Sequence, residues 1–525
     1  MRRNRPILFA SAVASALVSA VALNGCSNSQ DSAQPAVDGE GLYQSYCAVC
    51  HGADRLGGEG PALLPENLRR LSRDDAHTAI GEGLAATQMP VFGAVLDEEQ
   101  ITAIVDFIYQ PLAEVPRWRI AEMTATHRVF DPPEGGYRDE PVFEADMENL
   151  FVVVETGDHH ATILDGDRFE PLHRFRTHHT LHGGPKYSPD GRYVFFVSRD
   201  GWVTRFDLYN LHVTHEIRAG INARNVALSA DGRYVAVGNY LPHTLVVLDA
   251  RDLTPLKSIP VVGAADGGTS RVSAVYQSAP RGNFIAALRD VPEIWELYYD
   301  DTAPEDAEPA SGEGPGEGFH IRRIATEEHM DDFFFDPDHG HVLGSARDSE
   351  RSLVIDLDRG EAVAELEIEG LPHLASGITW EREGRIVMAT PHLHDGAVSV
   401  VDTEAWEVIA RIETEGPGFF LRSHENTRYA WVDVFFGPNR DLMHVIDKET
   451  LEIVETLRPE PGKTAAHVEF TRDGSHALVS LWELDGALVI YDAETFEEVR
   501  RLPMRRPSGK YNVSNKIYRS PGTSH

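Results

Sequence analysis

A turn that recurs about every 40–45 residues constrains this chain more than any other feature. It reads Ser188-Pro189-Asp190-Gly191-Arg192-Tyr193, then Ser229-Ala230-Asp231-Gly232-Arg233-Tyr234, with the two glycines 41 residues apart. Weaker copies lie around Gly340, Gly384, Asn426 and Gly474. Each precedes a pair of short β runs, such as 193–208, 234–249 and 477–492, and further pairs begin at Phe151 and Phe284. Together these make eight strand pairs. A blade-length period with paired strands predicts a β-propeller of about eight four-stranded blades over residues 148–525. A string of unrelated β-sandwiches leaves the constant spacing without a reason. Residues 302–318 are acidic and rich in Pro and Gly, and read as a mobile surface insertion.

The first 112 residues have a different texture. Cys47-Ala48-Val49-Cys50-His51 is the attachment signature of a c-type haem. Two thiols at this spacing bond the two vinyl groups, and His51 then lies under the iron. Met89, in Met89-Pro90, is the natural second axial ligand, because a thioether raises the potential of the iron. Helical character over 41–48, 74–82 and 97–108, with acids opening the last stretch, predicts a small all-α cytochrome c domain at 40–112. The fold expected is therefore a small all-α cytochrome c domain followed by an eight-bladed β-propeller. Residues 113–147, rich in Pro, Arg and Glu, read as a connector with one strand.

The chain has three cysteines, and the third is Cys26. Residues 1–25 open with three arginines and continue through an apolar run, which is the pattern of an export signal. The signal ends Leu23-Asn24-Gly25-Cys26, which resembles a bacterial lipobox. This predicts lipidation at Cys26, with Ser27 favouring the outer membrane, and a tether over 26–39. No cysteine remains for a disulfide. The formal net charge is −35, and loss of residues 1–25 removes three arginines and no acids. Such a surface repels phosphates and excludes nucleic acid as a partner. No apolar run after the signal is long enough to span a bilayer.

A cytochrome in front of an eight-bladed propeller resembles the cytochrome cd1 group, in which the propeller holds haem d1. By that resemblance His182, in Leu181-His182-Gly183-Gly184-Pro185, is the proximal d1 ligand. His329 and His373 fall at the places of the two distal histidines. Several runs are closer to the haem d1 maturation branch than to nitrite reductases. They include Ser198-Arg199-Asp200-Gly201-Trp202, Arg218-Ala219-Gly220-Ile221-Asn222 and Lys463-Thr464-Ala465-Ala466-His467-Val468. With its cytochrome domain the chain resembles the dihydro-haem d1 dehydrogenases of that branch. The resemblance implies oxidation of a propionate of dihydro-haem d1 to the acrylate of haem d1, in support of denitrification.

That chemistry needs a grip on several carboxylates, an axial nitrogen, a base and an electron route. Arginine pairs bidentately with carboxylates. Arg199, Arg224 and Arg271 are implied by the resemblance to lie in the d1 pocket, and Arg289 is a weaker candidate. The substrate iron has two candidate ligands, His182 and His373. His467, an imidazole in an apolar strand, is the candidate base, with Tyr511 beside it to position the propionate or relay a proton. His159, His160, His178 and His179 read as solvated turn residues. The expected partners are the tetrapyrrole, a periplasmic electron acceptor, and nitrite reductase or other maturation proteins. The competing readings are a cd1 nitrite reductase and a haem d1 carrier.

Overall fold

The computed structural model describes residues 37–84, 89–265, 267–345 and 351–519. Cys26, with the signal and most of the tether, lies outside the described residues.

Eight antiparallel sheets form the larger part of the chain. The first blade combines strands 150–155, 160–165 and 170–176 with the C-terminal strand Pro507–Asn512 as its innermost member. The register Phe151↔Asn512, Val152↔Tyr511 and Val153↔Lys510 closes the ring, because it joins the end of the chain to the first blade. Blades 2 to 8 follow in chain order, with inner strands at 186–187, 222–228, 272–278, 332–335, 378–382, 421–423 and 465–470.

Local chemistry explains the repeats. In the Ser188 turn the amide of Gly191 donates to the Ser188 carbonyl at 2.8 Å, and the amide of Tyr193 donates to Ser188 Oγ at 2.8 Å. The Ser229 turn repeats both bonds, at 2.9 Å each. Gly191 and Gly232 both have φ of +71°, a left-handed conformation that glycine adopts without strain. Central strands are sandwiched between neighbouring blades and read as unbroken apolar runs, as in Leu150–Glu155, where every residue is buried. Outer strands such as Glu361–Glu367 and Glu407–Glu413 face water and carry charge. Aromatics fill the seams between blades. Trp295 and Trp431 are each at most 1 % exposed, and burial of a large apolar side chain contributes about 1.5–3 kcal/mol.

The N-terminal domain is helical. We number its helices α1 (Gly39–Tyr46), α2 (Ala48–His51), α3 (Pro65–Leu68), α4 (Arg73–Glu82) and α5 (Glu98–Ile108). Asp97 and Gln100 form a reciprocal capping box at the start of α5, which answers the acidic opening seen in the sequence. The connector holds a sixth helix, α6 (Ile120–Ala125), and the strand Arg128–Val129, which extends the outer edge of blade 2.

The two parts meet over blades 2 and 3. Ala62 and Leu64 join Ile221 and Leu241 in one apolar cluster. Asn67 Nδ2 donates to the Ile221 carbonyl at 3.2 Å, and Trp118 Nε1 to the Arg218 carbonyl at 2.8 Å.

The expected mobile insertion is held in place instead. Glu308–Pro309 adds a short strand to blade 4, Glu313 exchanges both backbone bonds with Ser258 at 2.8 and 3.0 Å, and the Gly316 amide donates to the Leu256 carbonyl. Edge pairing with blade 3 overrides the disordering composition. After the closing strand, Asn515–Arg519 forms a helical turn at the far end of the channel. There Asn515 Nδ2 donates to Glu469 Oε1 and to the Phe470 carbonyl, both at 2.9 Å.

Candidate functional site

The haem-binding motif forms the junction between α1 and α2. Cys47 is the C-cap of α1 and buried, Cys50 is half-buried, and His51 ends α2. The His51 ring places Nδ1 at 2.8 Å from the Pro61 carbonyl, which puts the hydrogen on Nδ1 and directs the Nε2 lone pair away from the backbone. Gly60 lies so close that a Cβ there would sit 2.7 to 3.1 Å from the imidazole, so the loop that follows the motif cradles this ring. Burial lowers the His51 pKa; the Pro61 bond raises it and the nearby His179 lowers it further. The imidazole is therefore neutral, as a metal ligand must be. Met89 packs on the core that includes Tyr43, Cys47 and Ile104. The residues fit a c-type haem held by the two thiols and His51. Replacement of Met89 by Ala should lower the reduction potential and abolish the weak sulfur-to-iron band. An unchanged potential in a redox titration would show that another group is the ligand.

The mouth of the channel that receives the cytochrome domain carries most of the other predicted residues. His182 sits just before the inner strand of blade 2. Its Nδ1 lies 2.7 Å from the Arg224 carbonyl, while Nε2 accepts from Arg199 Nη2 at 2.9 Å and Arg224 Nη1 at 2.8 Å. Burial, and then the two guanidinium charges, push the His182 pKa well below its usual value. The result is a neutral imidazole with a directed Nε2 lone pair and two arginines around it. Arg224 is itself anchored, through Nε, on the Ser273 carbonyl at 3.0 Å.

Arg271 is differently placed. It gives Nε and Nη2 to Asp290 at 2.8 and 2.5 Å, and its guanidinium faces the Tyr240 ring at 5.5 Å. Arg199 approaches the same ring at 5.9 Å, so Tyr240 links the two. The Arg271 fork is already engaged by a carboxylate. Arg289 is likewise ion-paired, with Asp331. His329 is exposed on the segment that leads into blade 5, one residue before Met330, whose carbonyl accepts from Ser273 Oγ at 2.7 Å.

His373 repeats the ligand-like pattern of His182 on the opposite side. Its Nδ1 lies 2.5 Å from the Phe419 carbonyl, and its ring packs on Phe419 at 4.2 Å. His467 is 1 % exposed and has φ of +49°. It is the extra residue of a β-bulge between Ala466 and Val468, which turns its ring out of the ladder. The ring packs on Phe420 at 4.6 Å and on Tyr511 at 5.2 Å. The sequence pairing of His467 with Tyr511 is thus a contact in three dimensions. Burial lowers the His467 pKa well below its usual value, and Lys510, Arg422 and Lys516 lower it further. Burial also pushes the Tyr511 phenol above its usual range.

Sequence reading missed the group that organises this side. Asp433 is fully buried. Its Oδ1 accepts from the amides of Phe419 at 2.7 Å and Phe420 at 3.0 Å, and its Oδ2 from the amide of His467 at 3.0 Å. Phe419 carries the carbonyl that orients His373, so one carboxylate positions both histidines. Burial raises the Asp433 pKa to about 6, against the lowering effect of its three amides. A lone Asp at the end of a strand has no distinguishing sequence signal.

The histidines near the seam also differ from expectation. His159 and His179 are half-buried and pack together at 4.6 Å, and His178 stacks on Trp202 at 4.4 Å. His160 is half-buried as well, with Nδ1 2.9 Å from the Asp158 carbonyl. They are only partly exposed, and His160 opens the second strand of the first blade.

The profile of the cytochrome D1 heme domain family matches residues 145–516. The chain belongs to the haem d1 propeller family. Within that family it is 53 % identical over 487 residues to the dihydro-heme d1 dehydrogenase of Pseudomonas aeruginosa, covering 93 % of this chain and 96 % of the relative. Protein NirF of the same organism is 30 % identical over 376 residues, which cover 69 % of this chain and 90 % of NirF. A solved structure of dihydro-heme d1 dehydrogenase NirN in complex with DHE superposes with a TM-score of 0.86 at 52 % identity, and covers 91 % of this chain and all of the other. The profile of the cbb3-type cytochrome c oxidase subunit III family matches residues 34–108, over the haem motif. Haem d1 propeller proteins with an attached cytochrome domain are thus the setting in which this site belongs.

Proposed function

We propose that the protein oxidises one propionate of dihydro-haem d1 to the acrylate of haem d1. The reaction converts CH2–CH2 to CH=CH and releases two protons and two electrons. The carrying observation is the contact of the buried pair His467 and Tyr511, in a propeller that a cytochrome domain meets over blades 2 and 3. The half-identical relative named for this reaction, and its complex with DHE, support the reading.

Each task has residues suited to it. His182 or His373 ligates the substrate iron through Nε2, since both keep the hydrogen on Nδ1; for His182 this requires Arg199 and Arg224 to turn from Nε2 to the ring carboxylates. Arg199 and Arg224 neutralise carboxylates of the ring. His467, neutral at physiological pH, accepts a proton from the propionate chain, and Tyr511 holds that chain against it. Proton and electron departure are coupled, because a free carbanion at that carbon is too costly. A haem c held at Cys47, Cys50 and His51 would accept one electron at a time, so it would be reduced and then re-oxidised by an external acceptor twice for each acrylate formed. The thiols hold it covalently, and the His51 loop faces the propeller near His179.

The test is conversion of dihydro-haem d1 by the purified protein with an added electron acceptor, followed optically. Formation of haem d1 supports the reading. A protein that converts none, retains stoichiometric haem d1 and reduces nitrite is a respiratory enzyme instead.

We also propose a periplasmic location with a lipid anchor, as the residues before Cys26 suggest. Mass spectrometry of the mature N-terminus should find a diacylglyceryl-modified Cys26. A mature chain that starts downstream of it would refute the anchor. The electron acceptor is then a periplasmic one, and the product passes to nitrite reductase or other maturation proteins of denitrification.

A further inference from the structure

Around His467 and Tyr511 the propeller buries several positive charges. Arg422 stands on the inner strand of blade 7, Lys186 on that of blade 2, Lys510 on that of blade 1, and Lys516 on the C-terminal turn. All four are buried. Two carboxylates lie within their electrostatic reach, and both have other duties. Asp433 accepts three backbone amides. Glu469 accepts from Asn515 and from the Phe470 amide.

Lys510 is used structurally. Its Nζ donates to the His467 and Ala466 carbonyls and to Ser480 Oγ, which ties down the bulge. Arg422 is not so used. It is 7 % exposed, its Nη1 makes only a long bond of 3.4 Å to the Leu421 carbonyl, and its Nη2 is buried with no hydrogen-bond partner. A buried guanidinium nitrogen without an acceptor is costly, and it is the fork that pairs with a carboxylate.

We infer that Arg422, assisted by Lys186 and Lys516, is a carboxylate-binding site in the channel, and that it takes the carboxylate of the propionate that reacts. The carboxylate class follows from the guanidinium fork, whose Nη2 is buried with no hydrogen-bond partner among the described residues. The choice of arm follows from neighbourhood, because Arg422 stands two residues after Phe420, whose ring packs on His467 at 4.6 Å, and His467 in turn packs on Tyr511 at 5.2 Å. A carboxylate anchored there lays its CH2–CH2 chain along those two rings, while ring carboxylates elsewhere meet Arg199 and Arg224. Burial, and then the charge of Arg422, lower the pKa of Lys186 to about 7; burial, and then the charges of Lys186 and Arg422, lower that of Lys516; a bound anion relieves both. The identity of the arm rests on the dehydrogenase reading, whereas the carboxylate site does not.

Two measurements separate these levels. In the first, substrate-free protein is unfolded with urea in sodium propionate and in sodium chloride of equal ionic strength. Propionate should stabilise the wild type beyond chloride, and Arg422→Gln should lose that gain, with Arg422→Lys retaining part of it. Equal behaviour of the two salts, or a gain that survives in Arg422→Gln, overturns the site whatever the enzyme does.

In the second, dihydro-haem d1 and its methyl ester at the reacting propionate are titrated optically into both proteins. Arg422→Gln should weaken binding of the acid about 10- to 100-fold and leave binding of the ester unchanged. If the variant weakens acid and ester equally, the site holds another carboxylate and the arm is wrong. If propionate stabilises the wild type through Arg422 but dihydro-haem d1 does not bind, the substrate reading fails and the carboxylate site stands. Arg422→Lys, with far-ultraviolet circular dichroism of each variant, guards against reading a folding defect as a loss of binding.

Discussion

Replacement of His467 by Ala is expected to slow acrylate formation by about a hundred- to ten-thousand-fold, with binding of dihydro-haem d1 retained. The size is that of a positioned general base. The retention follows because the residues assigned to the iron and the ring carboxylates, His182, His373, Arg199 and Arg224, belong to other blades or loops. Burial and three neighbouring cations keep the His467 imidazole neutral, so its lone pair is available throughout the range near pH 7. The rate of the wild type should therefore show no loss on the acid side, down to pH 6, that stems from this residue. A single-turnover assay against haem d1 absorbance, with the haem c spectrum as the second readout, measures both. If the wild type converts substrate and the variant does so equally fast, the reaction stands and the base lies elsewhere.

Asp433→Ala should lower propeller stability by about 3–5 kcal/mol, since it orphans three buried amides at roughly 1–3 kcal/mol each, with part recovered by relaxation. The loss should depend on pH. The folded-state pKa of Asp433 is raised to about 6 from the ordinary 3.8, so the native state binds the proton more tightly than the unfolded chain. Such a contribution is fully present below the unfolded value and is lost as pH rises through the folded one. The gap between wild type and Asp433→Ala, measured by urea unfolding of substrate-free protein, should therefore be larger at pH 4 than at pH 8. A gap that grows with pH would show that the carboxylate is held ionised and stabilising in the fold. The same variant should slow catalysis, because the Phe419 carbonyl that orients His373 and the amide of His467 both lose their anchor.

Both predictions turn on residues whose legibility differed. His467 and Tyr511 lie 44 positions apart and were paired from the sequence by family likeness, and the ring closure through Val152↔Tyr511 brings them together. His182, Arg199 and Arg224 were likewise legible, and they meet in one cluster. Asp433, Tyr240 and Arg422 carry no motif, because each acts through what the fold sets beside it. Arg422 reads in sequence as one more strand arginine, and only the convergence of inner strands on the axis makes it a buried cation.

Local chemistry was written in the chain itself. The Ser-x-Asp-Gly turns, the apolar runs of the central strands, the capping box at Asp97 and the Cys47–His51 motif each depend on residues a few positions apart, so the sequence alone determined eight blades and a haem-binding helical domain. Tertiary structure decided the rest. It bent the strand at His467 into a bulge, pinned the acidic insertion to the edge of blade 3, half-buried the histidines at 159 and 179 against each other, and buried four cations on the inner strands and the C-terminal turn. Those outcomes depend on contacts between residues tens to hundreds of positions apart, and on the loss of water around them. Neither quantity is carried by any stretch of sequence short enough to read as a pattern.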